Sequence, residues 1–251
     1  MNGRWLWWGL MVLSLIACGQ SSVRHGNESK EPPAQIYTNL GLAYMQQGNS
    51  GIALEKFLKA LEYDANYAEA HHYIASVYQQ QGQMEKASQH YQRALRLDAD
   101  NPMLQNNYGT FLCDRDKYAE AEKLFLDVAK NPRYTTPELA YENAGLCAQR
   151  RGDVQQAERH FRAALEINSK LPNTLYQMAL LTYNTGRYLP ARAYLQRFSE
   201  LTPPSSQSLW LGIKIERKLG DMQAVAEYAT RLKSGFPNAE EVRLLRESEK
   251  K

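Results

Sequence analysis

Apolar side chains recur along the chain with the spacing of amphipathic helices. In residues 37–44 they stand at positions i, i+3, i+4 and i+7, which is one face of a helix. Residues 47–49, with the sequence Gln-Gly-Asn, break that face because glycine and asparagine favour turns. A second stripe follows in residues 53–61, so the pattern predicts a helix, a turn and a helix. The apolar positions are Tyr37, Leu40, Gly41, Tyr44, Ala53, Phe57, Ala60 and Leu61.

This two-helix unit returns with a period of 34 residues. A turn glycine marks each period, except that Asp116 takes the third place and a two-residue insertion lengthens one interval to 36. A small residue stands five positions after each turn residue. A fixed period of this length predicts a stack of similar units rather than one enclosed core. The turn glycines are Gly48, Gly82, Gly152, Gly186 and Gly220, and the small residues are Ala53, Ala87, Ala121, Ala157, Ala191 and Val225.

The unit resembles the tetratricopeptide repeat, whose usual signature has an aromatic, Leu-Gly, Tyr, Ala, Phe, Ala and Pro at fixed offsets. The resemblance implies an all-α fold, a right-handed α-solenoid of about six repeats. Unit six matches the pattern least, as expected for a terminal repeat with one face in water. A charged capping helix is expected after it. The predicted units are 34–67, 68–101, 102–137, 138–171, 172–205 and 206–239, and the cap is 240–251.

The N-terminus has the composition of an export signal. Arg4 precedes an uncharged run at 5–17, and these 13 residues are too few to cross a bilayer, which takes about 20. The run leads into Leu-Ile-Ala-Cys at 15–18, which resembles the bacterial lipobox. We therefore expect a lipoprotein signal peptide at residues 1–17 and a lipid on Cys18. The alternative is an ordinary signal peptide with a chance cysteine.

Residues 18–33 are predicted to form the lipidated cysteine and a flexible tether. The stretch is rich in Ser, Gly, Asn, Glu and Lys, so it cannot bury apolar surface. A tether of this length reaches about 20 Å, and the several acyl chains of a lipoprotein cysteine make a stable anchor. Gly19 follows the cysteine, which resembles the enterobacterial signal for the outer membrane. The folded part is therefore expected at the outer membrane, lipid-anchored and facing the periplasm.

Charge and motifs argue against nucleic-acid binding and catalysis. The formal net charge is +3, and both signs are interspersed along the repeats without a basic stripe. Metalloprotease, CxxC, GxSxG and phosphate-loop motifs are absent from the sequence. The adjacent His71 and His72 would point about 100° apart on a helix, which suits one metal ion poorly. We predict no enzyme activity, no metal, no cofactor, no small-molecule substrate and no nucleic-acid partner.

Cys113 and Cys147 are candidates for a disulfide. Both fall on the first helix of their units, the third and the fourth, and these helices should pack side by side. An even pair of cysteines in an exported protein favours a disulfide. Two buried free thiols are the alternative. The bond would join the two units across the insertion.

The partner surface is predicted on the concave side, which the first helices line. Its aromatic, Met, Leu and Asn side chains suit an amphipathic peptide or helix. The alternative for each residue is packing against the neighbouring helix. A carboxylate clamp for chaperone C-termini is not expected, because its Lys and Arg positions hold Thr38, Leu42 and Tyr73. The predicted groove residues are Leu42, Met45, Tyr73, Asn107, Asn143, Leu146, Tyr176, Leu180, Tyr183 and Trp210.

Five segments are more specific than a generic repeat. Together with the lipobox they resemble the PilF/PilW family of type IV pilus biogenesis and stability lipoproteins, over essentially the whole mature chain. Both internal cysteines lie inside these segments, which strengthens the expectation of a disulfide. The segments are 106–113 (Asn-Asn-Tyr-Gly-Thr-Phe-Leu-Cys), 131–134 (Asn-Pro-Arg-Tyr), 143–147 (Asn-Ala-Gly-Leu-Cys), 188–192 (Tyr-Leu-Pro-Ala-Arg) and 209–213 (Leu-Trp-Leu-Gly-Ile).

The resemblance implies a pilotin. Such a protein is an outer-membrane lipoprotein that binds the pilus secretin subunit, of the PilQ type, and promotes its localisation and multimerisation, on which twitching motility depends. The alternative is an adaptor lipoprotein with the same repeats in another envelope machine. That machine would be outer-membrane protein assembly or a scaffold for murein hydrolases.

Overall fold

The computed structural model describes residues 31–249, and all thirteen regular elements within them are α-helices. The predicted signal peptide, Cys18 and most of the tether lie outside these residues. The all-α repeat fold expected from the sequence is confirmed. The helices are α1 (Pro33–Gln46), α2 (Ser50–Tyr63), α3 (Ala68–Gln80), α4 (Met84–Leu97), α5 (Pro102–Asp114), α6 (Tyr118–Ala129), α7 (Pro137–Arg150), α8 (Val154–Ile167), α9 (Pro172–Asn184), α10 (Tyr188–Ser199), α11 (Ser206–Leu219), α12 (Met222–Gly235) and α13 (Glu240–Ser248).

The helices pack as six consecutive pairs, from α1 with α2 to α11 with α12. The second helix of each pair also packs on the first helix of the next pair. First helices contact each other directly, α1 with α3, α5 with α7, and α9 with α11, so they share one side of the stack. Helix α13 packs on α11 and α12 and covers the end of the last repeat. Among residues 31–249, none of the helices combines the length and apolar character that a membrane span requires.

Two helices begin one residue earlier than the repeat pattern indicates. Helix α1 begins at Pro33 and helix α7 at Pro137, because proline is well suited to the first turn of a helix. The insertion forms the loop between α6 and α7. There Asn131 Oδ1 accepts a hydrogen bond from the Arg133 backbone N–H at 2.9 Å, and Arg133 Nη2 donates to the Asp100 carbonyl at 2.6 Å. The lengthened loop is thereby fixed to the preceding connection between repeats.

The turn residues adopt the left-handed backbone conformation that the period implies. The five turn glycines have φ between 72° and 82°, and Asp116 in the third place has φ 60°. Aspartate tolerates this conformation better than most non-glycine residues because its short polar side chain forms local hydrogen bonds. Asp116 Oδ1 indeed accepts a hydrogen bond from the Tyr118 hydroxyl. The missing glycine therefore leaves the helix–turn–helix unit unchanged.

A glycine on the first helix lets an aromatic ring of the second helix lie directly against its backbone. A Cβ added at Gly145 would stand 2.5 Å from Phe161 Cδ1, and one at Gly109 would stand 2.7 Å from Phe125 Cε1. Both phenylalanines are buried. The two helices of a repeat can approach this closely only where the first helix presents no large side chain.

Unit six departs from the pattern at Glu216, which is charged where the other repeats carry uncharged residues. The residue is only 4% exposed. Arg192, on the second helix of the preceding repeat, donates from Nε to Glu216 Oε1 at 3.0 Å and from Nη2 to Oε2. A buried carboxylate is tolerated when it is paired in this bidentate way, so the substitution adds a link between repeats five and six.

We expect Gly145→Ala to lower the free energy of unfolding by about 1–3 kcal/mol, because the new methyl group forces Phe161 out of its position. The matched control is Gly51→Ala, since Gly51 lies in helix α2 and a Cβ added there would meet no atom within 4 Å. That change should be neutral or stabilising by up to about 1 kcal/mol. Thermal unfolding followed by circular dichroism measures both, and equal losses in the two variants would contradict the packing argument.

Candidate functional site

The ten predicted groove residues all lie on first helices, and all ten are partly buried. We call the surface formed by α1, α3, α5, α7, α9 and α11 the first-helix surface. Met45 and Leu42 lie on α1, Tyr73 on α3, Asn107 on α5, and the remaining six on α7, α9 and α11. The structure therefore places all ten predicted residues on first helices. The surroundings of the ten side chains differ.

Five of the ten line two adjoining depressions in the first-helix surface. Met45, Tyr73 and Asn107 line the first, which we call the N-terminal depression, with a volume of about 580 Å³. Asn143 and Leu146 line the second, the central depression, with a volume of about 330 Å³. Thr110 and Asp114 line both, so the two depressions form one continuous site across repeats one to four.

A stack of three rings holds Tyr73 in the N-terminal depression. Its ring lies 5.4 Å from Phe57 and 4.8 Å from His72, nearly parallel to both. Burial lowers the pKa of His72 to about 4, so the imidazole is neutral near pH 7. Its Nε2 can then accept the hydrogen bond from Asn107 Nδ2, at 2.8 Å. These contacts restrict the Tyr73 side chain before any partner binds.

A chain of polar side chains runs along the same surface and joins the two depressions. The Tyr91 hydroxyl donates to Gln79 Oε1 at 3.1 Å, and Gln79 Nε2 donates to Asp114 Oδ2 at 2.9 Å. Arg150 Nη1 in turn donates to Asp114 Oδ1. A second amide contact, from Asn143 Nδ2 to Asn106 Oδ1 at 3.1 Å, also joins α7 to α5. Repeats two, three and four therefore share one hydrogen-bonded surface.

Gln79, Asp114 and Arg150 were not among the predicted site residues. Asp114 and Arg150 occupy equivalent places in units three and four, each at the end of its first helix, and carry opposite charges. Equivalent positions of neighbouring repeats lie side by side. The opposite charges of Asp114 and Arg150 could therefore have predicted that the two side chains pair. Gln79 offered no such signal, since its role depends on the fold bringing it to Asp114.

The other five predicted residues pack mainly against neighbouring helices. Leu42 packs against the cluster around Phe57. Tyr176, Leu180 and Tyr183 pack against the buried core between α9, α10 and α11. Trp210 packs against the C-terminal cluster, with the Arg217 guanidinium 5.9 Å from its ring. The contacts of these five residues in the structure are therefore those of packing against a neighbouring helix, which was the alternative to partner binding.

Cys113 and Cys147 lie in the wall of the central depression and are joined as a disulfide in the structure. Their Cα atoms are 5.8 Å apart, within the usual range for a disulfide. The pair links α5 to α7, the two helices that carry most of the central depression. The disulfide therefore links unit three to unit four in the structure.

Within residues 31–249, no group of three or more His, Cys, Asp or Glu side chains is placed to hold a metal ion. The two adjacent histidines diverge, as their spacing predicts. His71 Nε2 lies 3.2 Å from the Ala65 carbonyl, whereas His72 contacts Asn107. The lining of the two depressions combines aromatic, apolar and amide groups with the paired Asp114 and Arg150.

Comparison with known proteins agrees with this description. Family models described as tetratricopeptide repeat match residues 32–100 and 112–172. The type IV pilus assembly protein PilF of Pseudomonas aeruginosa is 31% identical over 233 residues, covering 92% of each chain. The solved structure of P. aeruginosa PilF has a TM-score of 0.76 at 32% identity and covers 86% of this chain and 97% of its own.

A second solved structure, of PilW, is described as that of a widely conserved type IV pilus biogenesis factor. It has a TM-score of 0.77 at 29% identity, covering 88% of this chain and 99% of its own. Sequence and fold therefore agree over nearly the full length of these relatives. The chain belongs to the PilF/PilW family of type IV pilus biogenesis proteins built from tetratricopeptide repeats.

Proposed function

We propose that this protein is a pilotin, an outer-membrane lipoprotein that binds the secretin subunit of the type IV pilus and promotes its localisation and multimerisation. The observation that carries the proposal is the continuous site formed by the N-terminal and central depressions in a member of this family. Together their lining offers both apolar contact and amide groups, which is the chemistry that binds a segment of another protein.

The site is suited to hold such a segment without large rearrangement. Met45, Leu146 and the restrained ring of Tyr73 would bury apolar side chains of the segment. Asn107 and Asn143 carry amide groups that can also reach its backbone. Because Tyr73 is already fixed by ring stacking, less conformational entropy is lost when the partner binds.

The lipid on Cys18 would give this binding its location. A single acyl chain holds a protein only marginally at a bilayer, whereas several make the anchor stable. Anchoring the repeats at the outer membrane raises the effective concentration of any bound secretin segment there. The ring would then assemble where the lipoprotein is, which is the action proposed for the pilotin.

We also propose that the Cys113–Cys147 disulfide forms in the mature protein and supports the site. It closes a loop with a sequence separation of 34 residues, for which the chain-entropy argument gives roughly 3–4 kcal/mol of stabilisation. Since it joins α5 to α7, the bond would hold the two walls of the central depression together.

Introducing charge into both depressions should abolish secretin binding. We expect Met45→Glu with Leu146→Glu to reduce secretin recovered with the lipoprotein from outer-membrane extracts by more than about tenfold, because each carboxylate must be desolvated against apolar side chains. The matched control is Leu58→Glu, an exposed position on the second helix α2, and it should bind normally. Undiminished secretin recovery by the double variant would contradict the proposed site. Capture of barrel-assembly factors or murein hydrolases in place of secretin would support the alternative adaptor function.

Removing the lipid should change where the protein is found in the cell without changing its fold. We expect Cys18→Ala to move the protein out of the outer-membrane fraction and to lower the amount of secretin multimer, since the binding surface stays intact but is no longer anchored. Ser22→Ala in the tether is the control and should change neither. Immunoblots of fractionated cells and a twitching assay measure both. Normal multimers and normal twitching in the Cys18→Ala strain would count decisively against the pilotin function.

A thiol count tests the disulfide. Mature lipoprotein unfolded in denaturant should show no reactive thiol before reduction and two after it, because Cys18 is blocked by lipid. Reduction should also lower the thermal midpoint of the wild type but not that of Cys113→Ala with Cys147→Ala. Equal thiol counts before and after reduction would refute the bond.

A further inference from the structure

A third depression adjoins the N-terminal depression and has a different chemistry. It has a volume of about 440 Å³ and lies where α3 and α5 begin and α4 ends. Tyr73 lines both depressions, so the two are neighbours on the first-helix surface. We call this third depression the acidic pocket, because Glu69 and Asp98 line it and no lysine or arginine does.

The two carboxylates of the acidic pocket are held by neutral donors. The Tyr67 hydroxyl donates to Glu69 Oε2 at 3.0 Å, and Asn101 Nδ2 donates to Asp98 Oδ2 at 2.9 Å. The sixteen ion pairs formed by the described residues include neither carboxylate. Two negative charges therefore share one depression without a positive partner from residues 31–249.

The acidic pocket is also lined by three aromatic side chains, and these carry no charge. Burial, followed by the hydrogen bond to Glu69, raises the pKa of Tyr67 to about 12, so its phenol stays protonated. His72 is uncharged near pH 7, as its burial dictates. Tyr73 presents a ring that the stack with Phe57 and His72 already fixes. The Tyr67 ring also lines the pocket and is not part of that stack, and the face of a tyrosine ring attracts a cation within about 6 Å.

The partial charges of the nearby helix termini do not cancel the negative charge of the pocket. Helices α3 and α5 begin at the pocket, and helix α4 ends there. Each terminus contributes only about half an elementary charge, so the two full charges of Glu69 and Asp98 outweigh them. Met103, 56% exposed, stands at the rim and Leu104 is buried in the wall. These apolar side chains can cover the aliphatic part of a long cationic side chain.

We propose that the acidic pocket binds an arginine side chain of the protein segment that occupies the first-helix surface. Charge complementarity points to a cation, and the aromatic wall beside two carboxylates points to arginine. Its planar guanidinium pairs with carboxylates and stacks on rings, which the compact lysine ammonium does less well. This assignment rests on the proposed function, since it describes the partner of that same site.

The charge of the pocket also gives the partner a register. An arginine in the acidic pocket would fix one point of the segment at the junction of repeats two and three, beside the N-terminal depression, because Tyr73 lines both depressions. The rest of the segment would then extend over Met45 or over Asn107, where apolar and amide contacts follow. A charged anchor next to apolar contacts sets the register of a bound segment as well as its affinity.

The test uses full-length lipoprotein in detergent and overlapping synthetic peptides that span the secretin of the same bacterium. Binding is measured by fluorescence anisotropy, and each arginine of a binding peptide is replaced in turn by citrulline, its uncharged analogue. The protein variant is Glu69→Gln with Asp98→Asn, which keeps the acceptors for Tyr67 and Asn101. The control variant is Glu166→Gln, an exposed glutamate on α8 outside any ion pair among the described residues.

We expect one citrulline replacement to weaken binding about tenfold, as for loss of a charge-assisted hydrogen bond. The Glu69→Gln/Asp98→Asn variant should weaken the unmodified peptide by a similar factor and should no longer distinguish arginine from citrulline. Glu166→Gln should bind as the wild type does. If peptides bind equally well with arginine and citrulline, the acidic pocket does not take arginine, while the proposed function stands. If no secretin peptide binds, both the inference and the proposed function fail.

Discussion

Four of the six repeats are built around one close approach, in which the backbone of a glycine on the first helix lies against an aromatic ring of the second. Gly145 and Phe161 show how little room there is, since even a methyl group on the glycine would overlap the ring. The residues clustered with the Phe161 ring come from its own repeat and the next one. A core made this way is local, so the stack can lengthen by repetition, and its end is covered by α13.

That local core decides which surface is left for a partner. The second helices are occupied on both sides, by their own first helix and by the next one. The first helices turn one face to their own second helix, and the N-terminal and central depressions lie on another. The disulfide and the contact between Arg150 and Asp114 both join α5 to α7 on this surface. Links between first helices therefore hold the two walls of the central depression together.

The sequence was sufficient for the fold because the fold is periodic. Spacing alone identified the turn positions, including Asp116, whose left-handed backbone replaces a glycine. The N-terminal and central depressions lie mainly on the first helices, but the individual side chains that line them were only partly those expected from the sequence. Tyr176 and Met45 occur in similar patterns and both pack against a core cluster, and Met45 also lines the N-terminal depression. The lining of that depression is made of side chains that several helices bring together, which a repeat pattern does not encode.

Departures from the repeat carry the information that separates this site from a generic stack. Asp114 and Arg150 stand at equivalent positions with opposite charge and therefore pair. Glu69 and Asp98 stand at the end of the same surface among the rings of Tyr67 and Tyr73, without a pairing cation in the described chain. A stack of identical repeats would place like charges side by side along its length. Here Asp114 is paired with Arg150, whereas Glu69 and Asp98 have no ion-pair partner among residues 31–249, so unpaired negative charge is concentrated at one place on the surface.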